Sequence, residues 1–290
     1  DAETRVGLSK LDQLLCGGEA LPGSLAGALR ETVRGTVHNM YGPTETTIWS
    51  STHEVNETDA ATPIVSLGRP ITNTQLYLLD KALQPVPVGV RGELYIGGDG
   101  VARGYWNRGE LTAERFVPDP FSRRGGQRLY RTGDEARYLA NGEIEYLGRS
   151  DQQVKLRGYR IELGEIEAAL REHESVTNAA VAVCGERLVA YVVGQTIDGN
   201  ALRQHLQQRL PDYMVPSYYM SLATLPQTPN GKLDRKALPE PDLDTSGTEY
   251  EAPGTAVEEV LAAIVAEVLG VSRVGRHDDF FALGGHSLLA

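Results

Sequence analysis

The chain has 290 residues, a formal net charge of −11, 41% hydrophobic residues and 23% charged residues. This length favours two or three domains, and no run of about 18 apolar residues is available to span a bilayer. The acidic balance excludes a broad nucleic-acid surface, because clustered Lys and Arg hold phosphate backbones. Two distant cysteines, Cys16 and Cys184, predict neither a disulfide framework nor a zinc site and suit a reducing cytosol.

Both ends of the chain have the character of cut ends. Asp1 opens without a methionine or a secretory signal, and Ala290 closes the chain inside an apolar segment that follows a Gly-Gly turn. We therefore expect the sequence to be a piece of a larger protein.

The first informative stretch is NMYGPTET, at residues 39–46. The preceding GTVHNM predicts a strand that runs into a bend at Tyr41, Gly42 and Pro43, so that Thr44 and Glu45 project from the strand end. An aromatic ring can stack on a base, a hydroxyl can bind phosphate, and a carboxylate can bind Mg²⁺. Alternatively, Thr44 simply caps a following helix. These residues alone leave both interpretations open.

Short β-rich runs bounded by turn residues follow at 75–80, 92–98 and 142–148 and predict antiparallel strands in a sheet or distorted barrel. Between them, YRTGDEAR places Asp134 after a glycine, at the predicted end of a short strand. A carboxylate in such a position can accept both hydroxyls of a ribose. The alternative is an ordinary Gly-Asp turn.

A change of period near Leu163 predicts an α+β unit. Ile166, Ala169 and Leu170 follow helical spacing, AAVAVC and RLVAYVV predict strands, and a second helix is expected at 200–209. The mixed charges of GRSDQQVKLRGYRIELGEIE are also compatible with a salt-bridged surface. Lys232 follows a Pro-Asn-Gly turn, where its ammonium could neutralise a reacting phosphate or remain merely solvated.

The final segments are a linker and a helical module. EPDLDTSGTEYEAPG, at 240–254, has five acids and no basic residue, which is typical of a linker. Thr255 and Glu258 predict a capping box for a helix that Gly270 ends. In DDFFALGGHSLLA, Ser287 opens an apolar helix, where it could be modified by a partner enzyme or act as a helix cap. It is not a G-x-S-x-G elbow, so a hydrolase triad is not predicted.

Taken in order, these motifs resemble the adenylation domain of nonribosomal peptide synthetases, followed by the start of a peptidyl carrier protein. The resemblance is carried by LLCGGEALPG, NMYGPTETT, GELYIGGDGVARGYWNRGELTAERFVPDPF, YRTGDEARYLANGEIEYLGRSDQQVKLRGYRIELGEIE, LPDYMVPSYYM, LPQTPNGKLDRKALP and DDFFALGGHSLLA. It implies an α/β and α+β multi-domain fragment. The expected parts are the C-terminal part of an adenylation core with a distorted β-barrel or sheet (1–150), a mobile α+β subdomain (151–239), a linker (240–254) and a truncated helical carrier domain (255–290).

The resemblance also implies roles for individual residues. Tyr41 would flank adenine, Thr44 would bond phosphate, Glu45 would coordinate Mg²⁺, and Lys232 would act on the substrate carboxylate during adenylation. Asp151 is the implied hinge, and Gly158 lies on the loop implied to face the pantetheine tunnel in the thioester step. Ser287 would carry 4′-phosphopantetheine. The remaining implied nucleotide residues are Asn39, Gly42, Asp134 and Arg149.

The implied reaction joins an amino acid to ATP as an aminoacyl-AMP and then forms a thioester on the carrier. The implied partners are the amino acid, neighbouring synthetase domains such as condensation domains, and a phosphopantetheinyl transferase, in the cytoplasm and without nucleic acid or membrane. The family's Ser/Thr/Gly-rich phosphate loop and the aspartate that holds the α-amino group are not found. We therefore expect the fragment alone to be inactive.

The resemblance places an uncharged selectivity pocket in this chain, which predicts a small or apolar substrate, with glycine as the specific hypothesis because of the bulk of Trp49. Two other classes stay open: an acyl-CoA or aryl-acid ligase, which the carrier segment disfavours, and a non-catalytic scaffold. The implied pocket residues are Leu15, Gly17, Met40, Ile48 and Trp49, with Lys232 closing the pocket.

Overall fold

A computed structural model describes residues 2–151, 153–156, 158–185, 187–228, 231–241 and 250–278, together with the single residues 280, 283 and 285. The chain divides into two compact units, Asp1–Asp151 and Gln152–Ala290. Among the described residues, no helix has the length and apolar character needed to cross a membrane.

The first unit begins with a small mixed sheet of β1 (Gln13–Gly17), β2 (Thr36–Tyr41), β3 (Ser51–Glu54) and β4 (Arg69–Pro70), in that order. Strands β1 and β2 are parallel because helix α2 (Gly23–Thr32) forms the crossover between them, whereas the other pairs are antiparallel. Helix α1 (Ala2–Leu8) precedes this sheet. The predicted strand that runs into Tyr41 is confirmed as β2.

A second, antiparallel sheet completes the first unit. Its strands are β5 (Thr74–Leu79), β6 (Gly92–Gly98), β7 (Phe116–Pro118), β8 (Arg128–Tyr138) and β9 (Ile144–Arg149), with helix α3 (Gly109–Arg115) before β7. The long β8 pairs with β6 on one side and, on the other, with β7 through its first half and β9 through its second half. Alternate side chains of these strands form a core in which Leu78, Leu94 and Ile96 are fully buried. The three predicted strands are confirmed.

The second unit is α+β, as predicted. It contains a hairpin of β10 (Gln153–Leu156) and β11 (Tyr159–Glu162), then a sheet of β12 (Val176–Cys184), β13 (Arg187–Gly194) and β14 (Tyr218–Ser221). Helices α4 (Leu163–Arg171) and α5 (Gly199–Gln207) pack their apolar faces on this sheet, with Ile166, Leu170 and Leu202 fully buried.

The predicted capping box is present at the start of α6 (Ala256–Leu269). Thr255 accepts a hydrogen bond from the backbone N–H of Glu258, and the Glu258 carboxylate accepts one from the backbone of Thr255. Gly270 ends the helix in the left-handed region, as predicted. The fold class is therefore confirmed as a mixed α/β and α+β assembly followed by a helical segment.

Candidate active site

The bend after β2 is built around Gly42. A Cβ at this position would lie 2.4 Å from the Ile48 carbonyl oxygen and 2.7 Å from the Ser50 nitrogen, so the close backbone approach requires glycine. Thr44–Thr46 then form one turn of 3-10 helix, whose N-cap residue is Pro43 and has no side-chain cap. The alternative in which Thr44 caps a helix is therefore wrong. The Thr44 side chain is exposed.

A buried carboxylate, Asp134, lies against the end of β2. The Tyr41 hydroxyl donates to Asp134 Oδ2 at 2.5 Å, and Arg149 Nη1 donates to Asp134 Oδ1 at 2.7 Å. Burial, followed by the nearby Asp134 carboxylate, raises the pKa of the Tyr41 phenol well above its ordinary value of 10. Tyr41 therefore remains a neutral donor. Each carboxylate oxygen of Asp134 has the capacity to accept a second hydrogen bond.

The position of Asp134 corrects the prediction that it ends a short strand. It lies inside the 11-residue strand β8 and pairs with Arg149 of β9, and the register shifts just after it, between Glu135 and Ala136. Gly133 has a φ of +77°, which re-aims the strand at this point. The prediction failed because the pairing strand β9 comes from a later part of the sequence.

Arg149 connects Asp134 to Asp151. Its Nε and Nη2 donate to the two carboxylate oxygens of Asp151 at 2.7 and 2.8 Å, and Arg115 lies 3.5 Å from the same carboxylate. Burial lowers the pKa of Arg149, but the hydrogen bonds and charges of Asp151 and Asp134 outweigh burial and raise the pKa overall. The arginine is therefore a permanent cation held between two acids.

Tyr146 belongs to the same region and was missed by the sequence analysis. Burial and, next, the Asp134 carboxylate raise its pKa to about 12. In GEIEYLG it looks like any strand tyrosine, so only the pairing of β9 with β8 reveals its neighbours.

Glu45 lies in a different set of contacts, which the sequence analysis also missed. The Tyr105 hydroxyl donates to Glu45 Oε1 at 2.6 Å, although 60 residues separate them in sequence. The backbone N–H of Ala102 donates to the Glu45 carbonyl at 2.8 Å. Burial, then the hydrogen bond to Glu45, raises the pKa of the Tyr105 phenol far above its ordinary range, so Tyr105 is a donor to the carboxylate.

The residues present fit a nucleotide-bound Mg²⁺. Within the described residues, no three His, Cys, Asp or Glu side chains cluster as a metal site enclosed by protein would require. Mg²⁺ at phosphates needs only one or two protein carboxylates, because phosphate oxygens and waters complete its octahedron. Glu45, beside the exposed Thr44, offers a carboxylate of the kind that such an ion needs.

Three of the predicted pocket residues are in contact. Gly17 pairs with Met40 across β1 and β2, and a Cβ on Gly17 would come within 2.5 Å of the Trp49 ring. Trp49 follows a tight turn at Ile48, whose φ is +71°, a region that β-branched residues rarely adopt. Leu15, on β1, is 55% exposed, and Ile48 is 59% exposed.

Asn39 is buried at 3% exposure and donates to the Ser66 carbonyl at 2.8 Å, so its amide supports β2 from inside. The structure thus brings together Tyr41, Asp134, Arg149 and Asp151, and it groups Gly17, Met40 and Trp49 separately. Glu45 is contacted by Tyr105, which the sequence analysis did not name.

The two predicted site residues of the second unit that the structure describes, Lys232 and Gly158, lie on exposed turns. Lys232 is exposed, and its carbonyl accepts a hydrogen bond from the Thr228 N–H at 2.7 Å. Three residues later, Arg235 donates to the Glu167 carboxylate at 2.7 Å and to the Val181 carbonyl at 2.6 Å. The base of the lysine turn is therefore anchored to the subdomain core, while the ammonium projects into solvent.

Gly158 lies in the turn between β10 and β11 and is exposed. Beside it, the Tyr159 ring stacks on Tyr213 with centroids 4.2 Å apart. Ser287 lies outside the described residues.

Replacing Gly133 with alanine should destabilise the protein by roughly 2–4 kcal/mol, because an alanine at a φ of +77° is strained and its Cβ disturbs the partly buried Arg149–Asp151 ion pair. The added Cβ would lie 2.5 Å from Asp151 Oδ2 and 2.7 Å from Arg149 Nη2. Urea unfolding followed by tryptophan fluorescence measures the loss. Gly89→Ala is the matched control, since Gly89 has a φ of +80° and nothing within 4 Å of a Cβ. Equal losses for the two variants would contradict the steric argument.

Comparison with known proteins places three family models along the chain. They are an AMP-binding enzyme model at residues 2–106, an AMP-binding enzyme C-terminal domain at 165–232 and a phosphopantetheine attachment site at 259–290. The chain is 54% identical over 284 residues to a dimodular nonribosomal peptide synthase of Bacillus subtilis, covering 96% of this chain and 12% of that protein. It is 52% identical over 294 residues to malpibaldin synthetase of Mortierella alpina, covering 98% of this chain and 5% of that one.

Two solved structures of adenylation domains are also similar to this chain. Holo-PA1221, a nonribosomal peptide synthetase protein containing adenylation and PCP domains, matches with a TM-score of 0.77 and 34% identity over 98% of this chain and 48% of that one. The Vibrio cholerae adenylation domain AlmE, in complex with glycyl-adenosine-5′-phosphate, matches with a TM-score of 0.70 and 28% identity over 81% of this chain and 46% of that one. The chain thus spans about half of these structures and a small share of the curated relatives. It belongs to the adenylate-forming enzymes of nonribosomal peptide synthetases, as the C-terminal part of an adenylation domain followed by the start of a peptidyl carrier protein.

Proposed function

We propose that this chain supplies part of the active site of a synthetase module that activates an amino acid as aminoacyl-AMP and loads it as a thioester on a phosphopantetheine arm. The observation that carries the proposal is the buried Asp134, held by Tyr41 at 2.5 Å and by Arg149 at 2.7 Å. A fixed carboxylate with acceptor capacity remaining on both oxygens is suited to a ribose diol.

The nucleotide is proposed to lie over the end of β2. Tyr41 flanks the adenine, Asp134 accepts the ribose hydroxyls with Arg149 nearby, and the exposed Thr44 hydroxyl donates to a phosphate. Gly42 allows the backbone to approach, and Asn39 supports the strand from the buried side. A carboxylate oxygen of the amino acid attacks the α-phosphorus, and pyrophosphate leaves.

Glu45 is proposed to hold a Mg²⁺ ion, which when bound offsets the charge of the phosphates. Lys232 is proposed to act in the same half-reaction by neutralising the substrate carboxylate and the developing phosphate charge. Its exposed position on a turn with an anchored base supports this, because the ammonium can reach outward without disturbing the subdomain core.

The second half-reaction is proposed to use the same small subdomain in another orientation. Asp151 is the proposed hinge, and the boundary between the two compact units, immediately after Asp151, supports it. Gly158, on an exposed hairpin turn, faces the arriving pantetheine. The thiol attacks the acyl carbon and AMP leaves.

The carrier is proposed to receive its arm on Ser287 from a phosphopantetheinyl transferase. The phosphopantetheine attachment model, which matches residues 259–290, supports a tethered thiol over free coenzyme A. We propose domain limits of 1–150, 151–239, 240–254 and 255–290, a cytoplasmic location, and neighbouring condensation domains as partners. The family's phosphate loop is not found in these 290 residues, so we expect them to be inactive by themselves.

The substrate is proposed to be small or apolar, with glycine as the specific candidate. Trp49 lies against Gly17 and fills the adjoining space with an uncharged ring. AlmE, which is 28% identical, was solved with glycyl-adenosine-5′-phosphate and supports this choice.

In an ATP–pyrophosphate exchange panel with the full synthetase module, we expect glycine or another small apolar amino acid to support exchange. Lys, Arg and Glu should be at least about 100-fold poorer, because a buried unpaired charge is costly. Trp49→Ala should shift the preference towards larger apolar side chains. A strong preference of the unmodified module for a charged amino acid would refute the substrate proposal, and no exchange with any amino acid would favour a non-catalytic scaffold.

A further inference from the structure

Glu45 lies on a single 3-10 turn, and hydrogen bonds hold both its carboxylate and the backbone around it. Tyr105 donates to Oε1 at 2.6 Å. The backbone around Glu45 is tied to the same loop, because Ala102 N–H donates to the Glu45 carbonyl at 2.8 Å and the Thr47 hydroxyl donates to the Gly100 carbonyl at 2.8 Å. The main chain and the side chain of Glu45 are therefore both fixed by residues 100–105.

Tyr105 is itself held in place. Its ring meets the edge of Phe116 with centroids 5.4 Å apart, and its hydroxyl lies 3.4 Å from that of Tyr130. Phe116 is 4% exposed and Tyr130 is fully buried, so these partners belong to the sheet core. The backbone N–H of Tyr105 donates to the Thr112 hydroxyl at 2.9 Å. The donor thus comes from a rigid aromatic cluster.

Such an arrangement has a chemical consequence for a carboxylate that binds a cation. A glutamate has several rotatable bonds, and ordering it at the moment of binding costs conformational entropy. Mg²⁺ demands nearly ideal octahedral geometry, and side chains that orient a ligand typically change metal affinity by about 10–100-fold. A hydrogen bond to Oε1 fixes the carboxylate plane, and an ionised carboxylate has acceptor capacity for more than one such bond.

We propose that Tyr105 is a positioning residue for the metal–nucleotide step, which orients the Glu45 carboxylate for the cation. This inference rests on the proposed function in one respect, the assignment of Glu45 as the Mg²⁺ ligand. Tyr105 itself touches neither substrate nor metal and acts only through Glu45.

Tyr105→Phe in the full synthetase module tests the proposal, since it removes the hydroxyl and keeps the ring. With Mn²⁺ as the probe and ATP present, electron paramagnetic resonance of free Mn²⁺ should show metal binding weakened by about 10–100-fold. Because the defect is one of affinity, the rate of pyrophosphate exchange should recover at high Mg²⁺. The KM for the amino acid and the melting temperature should stay unchanged.

Tyr95→Phe is the matched control. Tyr95 is a buried tyrosine whose hydroxyl also contacts a glutamate, Glu93, at 3.5 Å, and this variant should leave Mn²⁺ binding unchanged. Tyr130→Phe is a second variant that keeps the Tyr105–Glu45 bond but removes its hydroxyl neighbour, and it should give a smaller loss in the same direction as Tyr105→Phe.

Glu45→Gln distinguishes the proposed Mg²⁺ binding by Glu45 from the positioning role of Tyr105. Loss of Mn²⁺ binding in both Glu45→Gln and Tyr105→Phe supports the positioning role. Loss in Glu45→Gln with unchanged binding in Tyr105→Phe overturns the positioning role and leaves the Mg²⁺ assignment standing. Unchanged binding in Glu45→Gln overturns the Mg²⁺ assignment and the inference together. A general fall in melting temperature and in amino-acid affinity for Tyr105→Phe, without rescue by Mg²⁺, also overturns it.

Discussion

Replacing Ser287 with alanine in the full synthetase should abolish the addition of 4′-phosphopantetheine to the carrier segment. The transferase needs a hydroxyl oxygen to attack the phosphorus of coenzyme A, and alanine has no such nucleophile. Residues 259–290 match the phosphopantetheine attachment model, and Ser287 is the serine of the GGHSLL motif within them. Mass spectrometry of the carrier peptide after incubation with a transferase and coenzyme A measures the change.

Ser272→Ala is the control for that experiment. Ser272 lies just after α6 on an exposed turn and belongs to the same matched segment. Its replacement should leave loading unchanged. Addition of one pantetheine arm to the Ser287→Ala protein would show that another residue is the attachment point.

Replacing Lys232 with alanine should slow adenylate formation by roughly 100-fold or more, the scale for losing one donor to transition-state charge. Transfer of the acyl group from a preformed adenylate to the pantetheine thiol should be affected much less. The reason is that the lysine is proposed to face the acyl-phosphate only in the first orientation of the small subdomain. Single-turnover measurements of each half-reaction in the full synthetase separate the two effects.

Lys236→Ala provides the comparison. Lys236 is also exposed, four residues further on, and lies in the 3-10 turn that includes the anchoring Arg235. Both half-reactions should proceed normally in this variant. Equal losses in the two half-reactions of Lys232→Ala would show that the lysine is not specific to adenylation.

Local patterns predicted the helices α4, α5 and α6 and the strands β2, β5, β6, β9, β12 and β13, whereas α1, α2, α3 and about half of the strands were not predicted. The capping box at Thr255 and Glu258 and the stop at Gly270 were found as predicted, because caps and i to i+4 hydrogen bonds involve residues only a few positions apart. The strand predicted before the Tyr41 bend was likewise confirmed, since its apolar and turn residues are local signals. The motif order was sufficient to identify the family.

The prediction that a strand ends at Asp134 was wrong because the course of this strand depends on residues that are distant in the sequence. Strand β8 continues through this residue because β9, which lies later in the sequence, pairs with it. The irregularity near Gly133 is a bulge against β6, where Arg131 and Glu135 pair with Tyr95 and Glu93. Turn residues such as Gly-Asp therefore look alike in sequence whether a strand ends there or bulges.

Residue types and their order along this chain determined its family and predicted its candidate nucleotide residues and an uncharged pocket, because each motif carries its chemistry within a few positions. Only the tertiary structure decided which groups hold those residues in place. Tyr41 and Asp134 are 93 positions apart, and Tyr105 and Glu45 are 60 apart. Hydrogen bonds over such separations depend on sheet pairing and core packing, which bring distant segments together and leave no local signal in the sequence.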